Sequence, residues 1–378
     1  MKNNKHIQKN TVKRAVIKIG SGVLTKDDGL NLKAIKSISR QICQLIDTGM
    51  EIILVTSGAM ASGVKKIGLS SRPDDIPKRQ AVAAVGQAGL IMEYEKAFGR
   101  FRKNVAQILL TSDDFSNRKR YLNARNTICT LLSWKIVPIV NENDTVAVEE
   151  IEVGDNDNLA AMMTLLMDAD LLINLSDIEG LYTKDPRTNT DAELIPTVSV
   201  INKHHEKIAG SIPGPLGTGG MLSKIKAAKK VTTAGIPMLI AKGESTNVLL
   251  NFFAGKGKGT FFTPVKEKLA SRKCWLAFSS KPRGSVIIDK GAVSAILTKG
   301  KSLLPIGIVD VKDDYHMGTA VEVRDTKNKT LGIGLVNYSA ADILKIKGLN
   351  SNQIKKQLGY QPYDEVIHRD NLVITTEK

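Results

Sequence analysis

The segment Arg14-Ala-Val-Ile-Lys-Ile-Gly-Ser-Gly22 joins a β-branched apolar run to a glycine-rich turn. The run Arg14 to Ile19 predicts a short buried strand, and the glycines predict a tight loop after it. In such a loop, backbone N–H groups can come close to a phosphate, and Lys18 adds a fixed positive charge nearby. Ligands of α/β proteins bind at the carboxyl ends of the strands, so this loop is a candidate binding element.

The chain beyond Gly22 continues this alternation of strands and helices. Apolar residues recur at helical spacing in some segments and form short continuous runs in others. The predicted strands are Glu51–Val55, Val105–Leu110, Ile136–Val140, Asp170–Leu175 and Pro237–Ala241, and the predicted helices are Leu32–Ile46, Pro77–Phe98, Arg118–Leu132 and Met221–Ala234. This order implies parallel βαβ units and an α/β sheet covered by helices on both faces.

The pattern of apolar residues and glycines changes after Thr263. From Gly284 onward the apolar runs are short and glycines recur about every eight to ten residues, which predicts a small β-rich domain. We therefore predict five parts of the chain. They are a disordered N-terminal extension (1–13), an α/β domain (14–265), a linker (266–281), the β-rich domain (282–365) and a C-terminal tail (366–378).

The composition narrows the class of protein. Of the 378 residues, 42% are hydrophobic, which is enough for a sizeable core. No apolar run approaches the roughly 20 residues that span a bilayer, and the polar, basic N-terminus does not match a secretory signal. The three cysteines (Cys43, Cys129 and Cys274) stand far apart among apolar neighbours, which predicts buried thiols in a reducing cytoplasm. We expect a cytoplasmic protein that does not contact the membrane.

The formal net charge of +16 leaves three interpretations open. It could attract nucleic acid, or it could reflect an anionic substrate or a lysine-rich proteome. The lysines are scattered and are not interleaved with aromatic residues, so the charge alone is weak support for nucleic-acid binding.

Two further loops follow predicted strands of the same sheet. Thr56-Ser-Gly-Ala59 offers hydroxyl groups and amides at a helix start, and Asn141-Glu-Asn-Asp144 offers carboxylates and carboxamides. A glycine-containing loop taken alone is more often an ordinary turn. Several such loops at one edge of a sheet indicate a ligand site.

Two later motifs add phosphate and carboxylate chemistry. The turn Gly217–Gly220 leads into the predicted helix that places Lys224 near its N-terminus, where the helix dipole favours anions. This is no P-loop, and a glycine helix cap followed by a surface lysine remains the alternative.

The segment Val153–Leu159 places two carboxylates and two carboxamides at the start of an apolar helix. His204-His205 lacks partners at ligand spacing, so no metal site built from protein side chains is predicted.

The combination of these motifs resembles the glutamate 5-kinases of the amino acid kinase family. The resemblance also includes Glu179-Gly-Leu-Tyr-Thr-Lys-Asp-Pro186 and extends over nearly the whole chain from Arg14. It implies a three-layer αβα sandwich. The segments Gly291–Ile296 and Ser302–Pro305 resemble the PUA domain that follows the kinase domain in many bacterial members.

What the resemblance implies is ATP-dependent phosphorylation of the side-chain carboxylate of L-glutamate to L-glutamyl 5-phosphate. This is the first step of proline biosynthesis, with ATP and Mg²⁺ as cofactors and proline as a feedback inhibitor. A homodimer or homotetramer and functional coupling to glutamyl 5-phosphate reductase are also implied. Such an acceptor is already ionised at neutral pH, so the reaction needs no general base.

The same resemblance assigns roles to residues of this sequence. Lys18 and Lys224 neutralise the transferring phosphoryl group, and Asp157 orients the two lysines. The implied substrate-binding residues are Ser57, Gly58, Asn141, Asp144 and Asn156, with Asp144 on the substrate ammonium. The implied ATP-binding residues are Lys18, Ser176, Asp177, Thr218, Gly219, Gly220, Met221, Leu222, Ser223 and Lys224. Glu150 is a candidate regulatory residue in a segment that either covers the glutamate site or forms a solvated hairpin.

Two alternatives remain at this point. One is a kinase for another small acid, such as acetylglutamate or aspartate. The other is an RNA-binding protein that acts through the PUA domain, because such domains often bind RNA and the chain is basic.

Overall fold

The computed structural model describes residues 12–26, 29–146, 156–210, 220–264 and 271–375. Three residues with predicted roles, Thr218, Gly219 and Glu150, lie outside these ranges. The chain divides into two compact units, which are described separately. The first comprises residues 1–114 and 119–268, and the second comprises residues 115–118 and 269–378.

The first unit is built on a sheet of eight strands in the order β5-β6-β4-β1-β7-β9-β10-β8, beside a small hairpin of β2 and β3. The strands are β1 (Arg14–Ile19), β2 (Thr25–Lys26), β3 (Gly29–Leu30), β4 (Glu51–Val55), β5 (Val105–Leu110), β6 (Val137–Glu142), β7 (Leu171–Ser176), β8 (Thr197–Val198), β9 (Met238–Lys242) and β10 (Thr260–Phe262). The first six strands in this order, from β5 at the sheet edge to β9, pair in parallel with their neighbours. Strand β10 pairs antiparallel with β9.

Helices cover both faces of this sheet. Those before residue 264 are α1 (Ser21–Leu24), α2 (Leu32–Ile46), α3 (Ala59–Ile67), α4 (Ile76–Gly99), α5 (Ser112–Ser116), α6 (Arg118–Ser133), α7 (Asn156–Leu166), α8 (Lys203–Gly210), α9 (Met221–Thr233) and α10 (Val248–Phe253). Helices α2 and α4 share the main hydrophobic core with one sheet face, and α7 packs against β1, β7 and α9 on the other. The predicted three-layer αβα sandwich is confirmed. None of the helices in the described ranges is long and apolar enough to cross a membrane.

Strand alternation explains how a lysine comes to lie inside the first strand. Ala15, Ile17 and Ile19 point into the core shared with α2 and α4. Side chains alternate across a strand, so Lys18 points to the opposite face, toward α7. Lys18 pairs in register with Asn174 of β7, which places both polar side chains next to each other on that face.

Two glycines allow α3 and α4 to approach each other closely. A Cβ atom added to Gly86 would lie 1.8 Å from the carbonyl oxygen of Ala59, and one added to Gly63 would lie 1.9 Å from that of Val82. Carbon and oxygen atoms repel strongly at such distances, which lie far inside van der Waals contact. The crossing fixes the start of α3, which lies at the carboxyl end of the sheet.

We expect Gly86→Ala to lower the free energy of unfolding by about 1–3 kcal/mol, the usual effect of overpacking. Gly99 at the end of α4 is the matched control, because an added Cβ there would lie more than 4 Å from every described atom outside its own stretch of helix. Gly99→Ala should be neutral or slightly stabilising, since alanine favours the helix. Urea denaturation of both variants and the wild type measures the difference. Equal midpoints for the two variants would contradict the close crossing.

The second unit contains a five-stranded sheet in the order β12-β11-β13-β14-β15. Its strands are β11 (Ser285–Ile288), β12 (Ile308–Lys312), β13 (Ala320–Asp325), β14 (Thr330–Leu335) and β15 (Leu372–Ile374). Its helices are α11 (Ser271–Phe278), α12 (Lys290–Leu297), α13 (Ala340–Ile346) and α14 (Ile354–Leu358), with 3-10 turns at Pro305–Gly307, Ser351–Gln353 and Arg369–Asn371. It has its own hydrophobic core, which confirms the predicted small β-rich domain.

The bounds of this unit differ from the predicted ones. The predicted linker 266–281 contains α11, whose buried Trp275 donates a hydrogen bond from Nε1 to the carbonyl oxygen of Phe115 at 2.9 Å. The predicted tail 366–378 contains β15, which pairs with β14. Both segments gain their order from partners distant in sequence, which local patterns do not reveal.

Candidate active site

Four neighbouring strands bring the predicted loops together. The sheet order places β6, β4, β1 and β7 side by side and in parallel, so their carboxyl ends meet at one edge. The loops that follow them begin at Gly20, Thr56, Asn143 and Asp177. The convergence predicted from three separate motifs is therefore present.

Asp157 lies at the centre of a buried ionic cluster. Its Oδ1 atom lies 2.5 Å from Nζ of Lys18, and its Oδ2 atom lies 3.2 Å from Nζ of Lys224. The side chains of the three residues are 1%, 6% and 7% exposed, respectively. Two lysines and one carboxylate leave a net charge of +1, fixed in position in a region shielded from water.

The charges of the cluster are mutually stabilised. Burial by itself would raise the pKa of Asp157. The ammonium groups of Lys18 and Lys224, with hydrogen bonds from Lys18 and Ser223, outweigh this effect and hold the pKa of the carboxyl well below its usual range. Asp157 is therefore an anion at neutral pH and is not suited to proton transfer.

Helix α9 supplies the second lysine and a hydroxyl group. Ser223 Oγ lies 2.5 Å from Asp157 Oδ2 and 2.8 Å from the carbonyl oxygen of Gly220. Met221 is 4% exposed, so its side chain belongs to the core and only its backbone can face a nucleotide. Leu222 is half-buried on the same first turn.

Asn174 is a member of the cluster that sequence reasoning missed. Its Nδ2 atom donates a hydrogen bond to Asp157 Oδ1 at 2.8 Å. It is 1% exposed and interrupts the apolar run of β7. A carboxamide within an apolar strand was the available signal, because buried polar side chains nearly always have a partner.

A cavity of about 820 Å³ opens at this edge of the sheet. Its lining includes every predicted substrate-binding residue, and it also includes the first turn of α3, one residue of α1 and the residue that follows β7. These lining residues are Ser57, Gly58, Asn141, Asp144, Asn156, Ala59, Met60, Ala61, Gly22 and Asp177. The structure thus brings together, around one cavity, residues that are separated by up to 155 positions in the chain.

Polar side chains of the lining are oriented by one another. Asn156 Nδ2 donates to Ser57 Oγ at 2.8 Å, whereas Asn156 Oδ1 is buried and has no hydrogen-bond partner in the described residues. Asn141 Nδ2 donates to Oε1 of Gln87, a residue of α4 that the sequence did not single out, at 2.8 Å. Gly58 adopts a φ of 107°, a left-handed conformation that favours glycine, where it precedes α3.

Asp144 has an altered acidity. Burial raises the pKa of this carboxyl to about 6, although the guanidinium groups of Arg72 and Arg79 oppose the shift. Arg72 also lines the cavity. Asp144 is thus a carboxylate near neutral pH whose charge would be favoured further by a cationic ligand group.

The remaining predicted nucleotide residues lie at the end of β7. Ser176 is 2% exposed and its Oγ donates to Asp177 Oδ1 at 2.9 Å. A Cβ atom added to Gly22 would lie 3.1 Å from Cβ of Asp177, so the first loop passes close to this carboxylate. In the described residues no three His, Cys, Asp or Glu side chains come together as a metal cluster.

Comparison with known proteins shows the family of the chain. The amino acid kinase family matches residues 13–242, and the PUA domain matches residues 284–358. The glutamate 5-kinase of Thermoanaerobacter sp. (strain X514) is 49% identical over 362 residues, which cover 96% of this chain and 97% of the relative. That of Syntrophus aciditrophicus (strain SB) is 49% identical over 372 residues, covering 98% and 96%.

Among solved structures, the carbamate kinase from Giardia lamblia bound to AMP-PNP is 14% identical, with a TM-score of 0.49 over 67% of this chain and 98% of its own. From the family match and the full-length relatives, the chain belongs to the amino acid kinase family and, within it, to the glutamate 5-kinases. The predicted order of a kinase domain followed by a PUA domain is confirmed.

Proposed function

We propose that the protein transfers the γ-phosphoryl group of ATP to the side-chain carboxylate of L-glutamate and forms L-glutamyl 5-phosphate. The observation that carries this proposal is the buried Lys18–Asp157–Lys224 cluster, which adjoins the polar cavity through Asn156. The names of the full-length relatives support the same substrate.

The cavity offers a partner for each charged group of glutamate. Asp144 and Asn156 Oδ1, an atom that has no hydrogen-bond partner among the described residues, can accept hydrogen bonds from the substrate ammonium. The α-carboxylate suits the start of α3, because the backbone N–H groups of a helix N-terminus attract anions and no side chain in the described ranges caps this one. The side-chain carboxylate is then directed toward the lysines.

The transfer itself requires positioning and charge neutralisation. An oxygen of the glutamate side-chain carboxylate forms a bond to the γ-phosphorus, the bond from this phosphorus to the β,γ-bridging oxygen breaks, and ADP leaves with the electron pair. No proton moves, because the acceptor is already ionised. Lys18 and Lys224 stabilise the negative charge that is shared between the transferring group and the leaving group, and Asp157 keeps both ammonium groups in place.

Mg²⁺ fits this site as an ion that arrives with the nucleotide. Asp177 supplies a carboxylate of the type that Mg²⁺ accepts together with phosphate oxygens and water. When bound, the ion neutralises charge on the β- and γ-phosphates. The nucleotide-binding roles of Ser176, Asp177 and residues 218–224 belong to this proposal.

The test is turnover of ATP by the purified protein with glutamate, aspartate and N-acetylglutamate as acceptors. The acyl phosphate product is labile, so hydroxylamine trapping to the hydroxamate is a suitable readout. We expect hydroxamate from glutamate at a rate far above the other two acids. Comparable or greater turnover of another acid would overturn the substrate assignment.

We expect the kcat/KM for glutamate to fall as the pH decreases below about 6, because protonated Asp144 no longer attracts the ammonium. Asp144→Asn should remove this acid limb and raise the KM for glutamate by at least about tenfold, the scale of one charged hydrogen bond. The nucleotide phosphates titrate equally in both proteins, so the difference between the two pH profiles isolates Asp144. An acid limb that persists in Asp144→Asn would contradict this role.

The proposal includes the metabolic role and its regulation. We propose that the reaction is the first step of proline biosynthesis, that proline inhibits it, and that the enzyme acts as a homo-oligomer coupled to glutamyl 5-phosphate reductase.

The regulatory role of Glu150 rests on sequence alone, because residues 147–155 lie outside the described ranges. Proline inhibition curves of Glu150→Gln and the wild type test it. Identical curves would favour a solvated hairpin.

A further inference from the structure

A second cavity of the first unit is lined by four lysines. It has a volume of about 580 Å³ and lies between the β2–β3 hairpin, the start of α2, and helices α3 and α4. Its lysines are Lys26, Lys33, Lys65 and Lys66. We propose that this cavity binds a small polyanion with two or more phosphate groups, and that its occupation alters the neighbouring active-site cavity.

The positive charge of the lining is not compensated within the described parts of the chain. Glu93 is the one acidic residue of the lining in these parts, and its Oε1 atom accepts a hydrogen bond from Lys96 Nζ at 2.8 Å. None of the four lysines forms an ion pair with a described residue. Asp27 and Asp28 lie outside the described ranges. The lining therefore favours a ligand that carries several negative charges.

Helix α2 directs its positive end toward the same cavity. Lys33 is the second residue of this 15-residue helix, and the first turn contains no acidic residue. A lysine at this end is unfavourable for the helix dipole, whereas an anion is favourable. Asn31 caps the helix by accepting a hydrogen bond from the backbone N–H of Ala34, and both Asn31 and Lys33 line the cavity. An anion here would relieve the repulsion between Lys33 and the helix end.

Ser62 provides an independent indication of a ligand. It is 8% exposed, it lines the cavity, and its hydroxyl makes no hydrogen bond with any described residue. The buried helical hydroxyls of Thr164 and Thr232, by contrast, donate to the carbonyl oxygen four residues earlier. The Ser62 hydroxyl is therefore available to a phosphate oxygen.

The two cavities share part of their walls. Lys26 and Lys65 line both of them. Lys26 pairs with Gly29 in the hairpin, and the stem of Lys65 packs over Gly29, where an added Cβ would lie 2.6 Å from Lys65 Cδ. An anion that draws either ammonium group toward the second cavity changes the charge that faces the active site.

Titration calorimetry with inorganic pyrophosphate at constant ionic strength tests the binding. The variant Lys33→Ala/Lys66→Ala alters residues that line only the second cavity, and Ser62→Ala removes the hydroxyl without a change of charge. We expect the double variant to lose one saturable site per chain and Ser62→Ala to weaken that site by about threefold or more, the scale of one hydrogen bond. Lys36→Ala, an exposed change on α2 outside the lining, should bind as the wild type does.

Two outcomes would overturn the site. One is an isotherm of the double variant that matches the wild type. The other is an equal loss in Lys36→Ala, which would indicate diffuse attraction to the surface. The coupling is tested by the KM for glutamate at saturating ATP and fixed free Mg²⁺. Pyrophosphate should change this KM in the wild type and not in the double variant, and an unchanged KM in both would overturn the coupling. Only this second measurement rests on the proposed function, because the calorimetry requires no turnover.

Discussion

Asp157→Asn should reduce kcat by at least about a hundredfold and lower the free energy of unfolding by about 3–5 kcal/mol. The variant keeps the volume of the side chain but removes the anion that lies between two buried ammonium groups. Without it, Lys18 and Lys224 repel each other in a region from which water is excluded. The charges that should stabilise the transferring phosphoryl group are then misplaced, and the fold carries uncompensated buried charge.

The matched control is Glu51→Gln. This change also removes one carboxylate from an ion pair, which here joins β1 and β4. Glu51 lies 2.6 Å from Arg14, but the two side chains are 41% and 24% exposed. Pairs that are partly open to water contribute at most about 1 kcal/mol. Thermal or urea denaturation compares the stability of the two variants, and single-turnover kinetics compares their rates of phosphoryl transfer. Equal stability of Asp157→Asn and Glu51→Gln would show that the buried cluster is not held by Asp157.

The pH dependence of stability gives an independent measure of Asp157. Its pKa is depressed in the folded protein, so its contribution to stability is present above the unfolded value near 4. That contribution is lost as the pH falls through the lower folded value. The acid unfolding curve of Asp157→Asn should therefore be flatter below about pH 4 than that of the wild type. Parallel curves would contradict the depressed pKa.

Lys224→Met should reduce kcat by at least about a hundredfold while leaving the fold largely intact. It removes one of the two cations that are proposed to stabilise the transferring phosphoryl group. Asp157 keeps its ion pair with Lys18 and its hydrogen bonds from Asn174 and Ser223, so no buried charge loses every partner. The expected result is therefore a catalytic loss with a change in unfolding free energy that is much smaller than for Asp157→Asn.

Lys226→Met is the control for Lys224→Met, because Lys226 lies on the same helix and is exposed. It should retain nearly wild-type kcat. The comparison separates a local role of Lys224 from a general effect of positive charge on nucleotide binding. Near-wild-type turnover in Lys224→Met, or an equal loss in both variants, would overturn the proposed division of roles.

The sequence predicted most of the α/β unit because the signals are local. The run Leu32–Ile46 shows helical spacing and is a helix with those bounds, and Glu51–Val55 and Val105–Leu110 are strands as predicted. The predicted helix Pro77–Phe98 differs from the observed Ile76–Gly99 by one residue at each end. Apolar periodicity and glycine turns report on each segment by itself, so they do not require knowledge of the partners.

The bounds of the second unit could not be obtained in this way. Leu372–Ile374 is too short to be distinguished as a strand until its pairing with β14 is known. Trp275 is buried through a contact with Phe115, which lies 160 positions earlier in the chain. Such order depends on which segments meet, and a single sequence does not record this.

The sequence alone determined the strands, the loops at their carboxyl ends and the residue types that suit phosphoryl transfer, since each follows from neighbouring positions in the chain. Tertiary structure decided which of these groups meet. It brought Lys18 to Asp157 across 139 positions, added Asn174 and Gln87, and raised the pKa of Asp144 by burial. The interaction energies of these groups depend on distances of a few ångströms and on the exclusion of water. Both are properties of the packed chain.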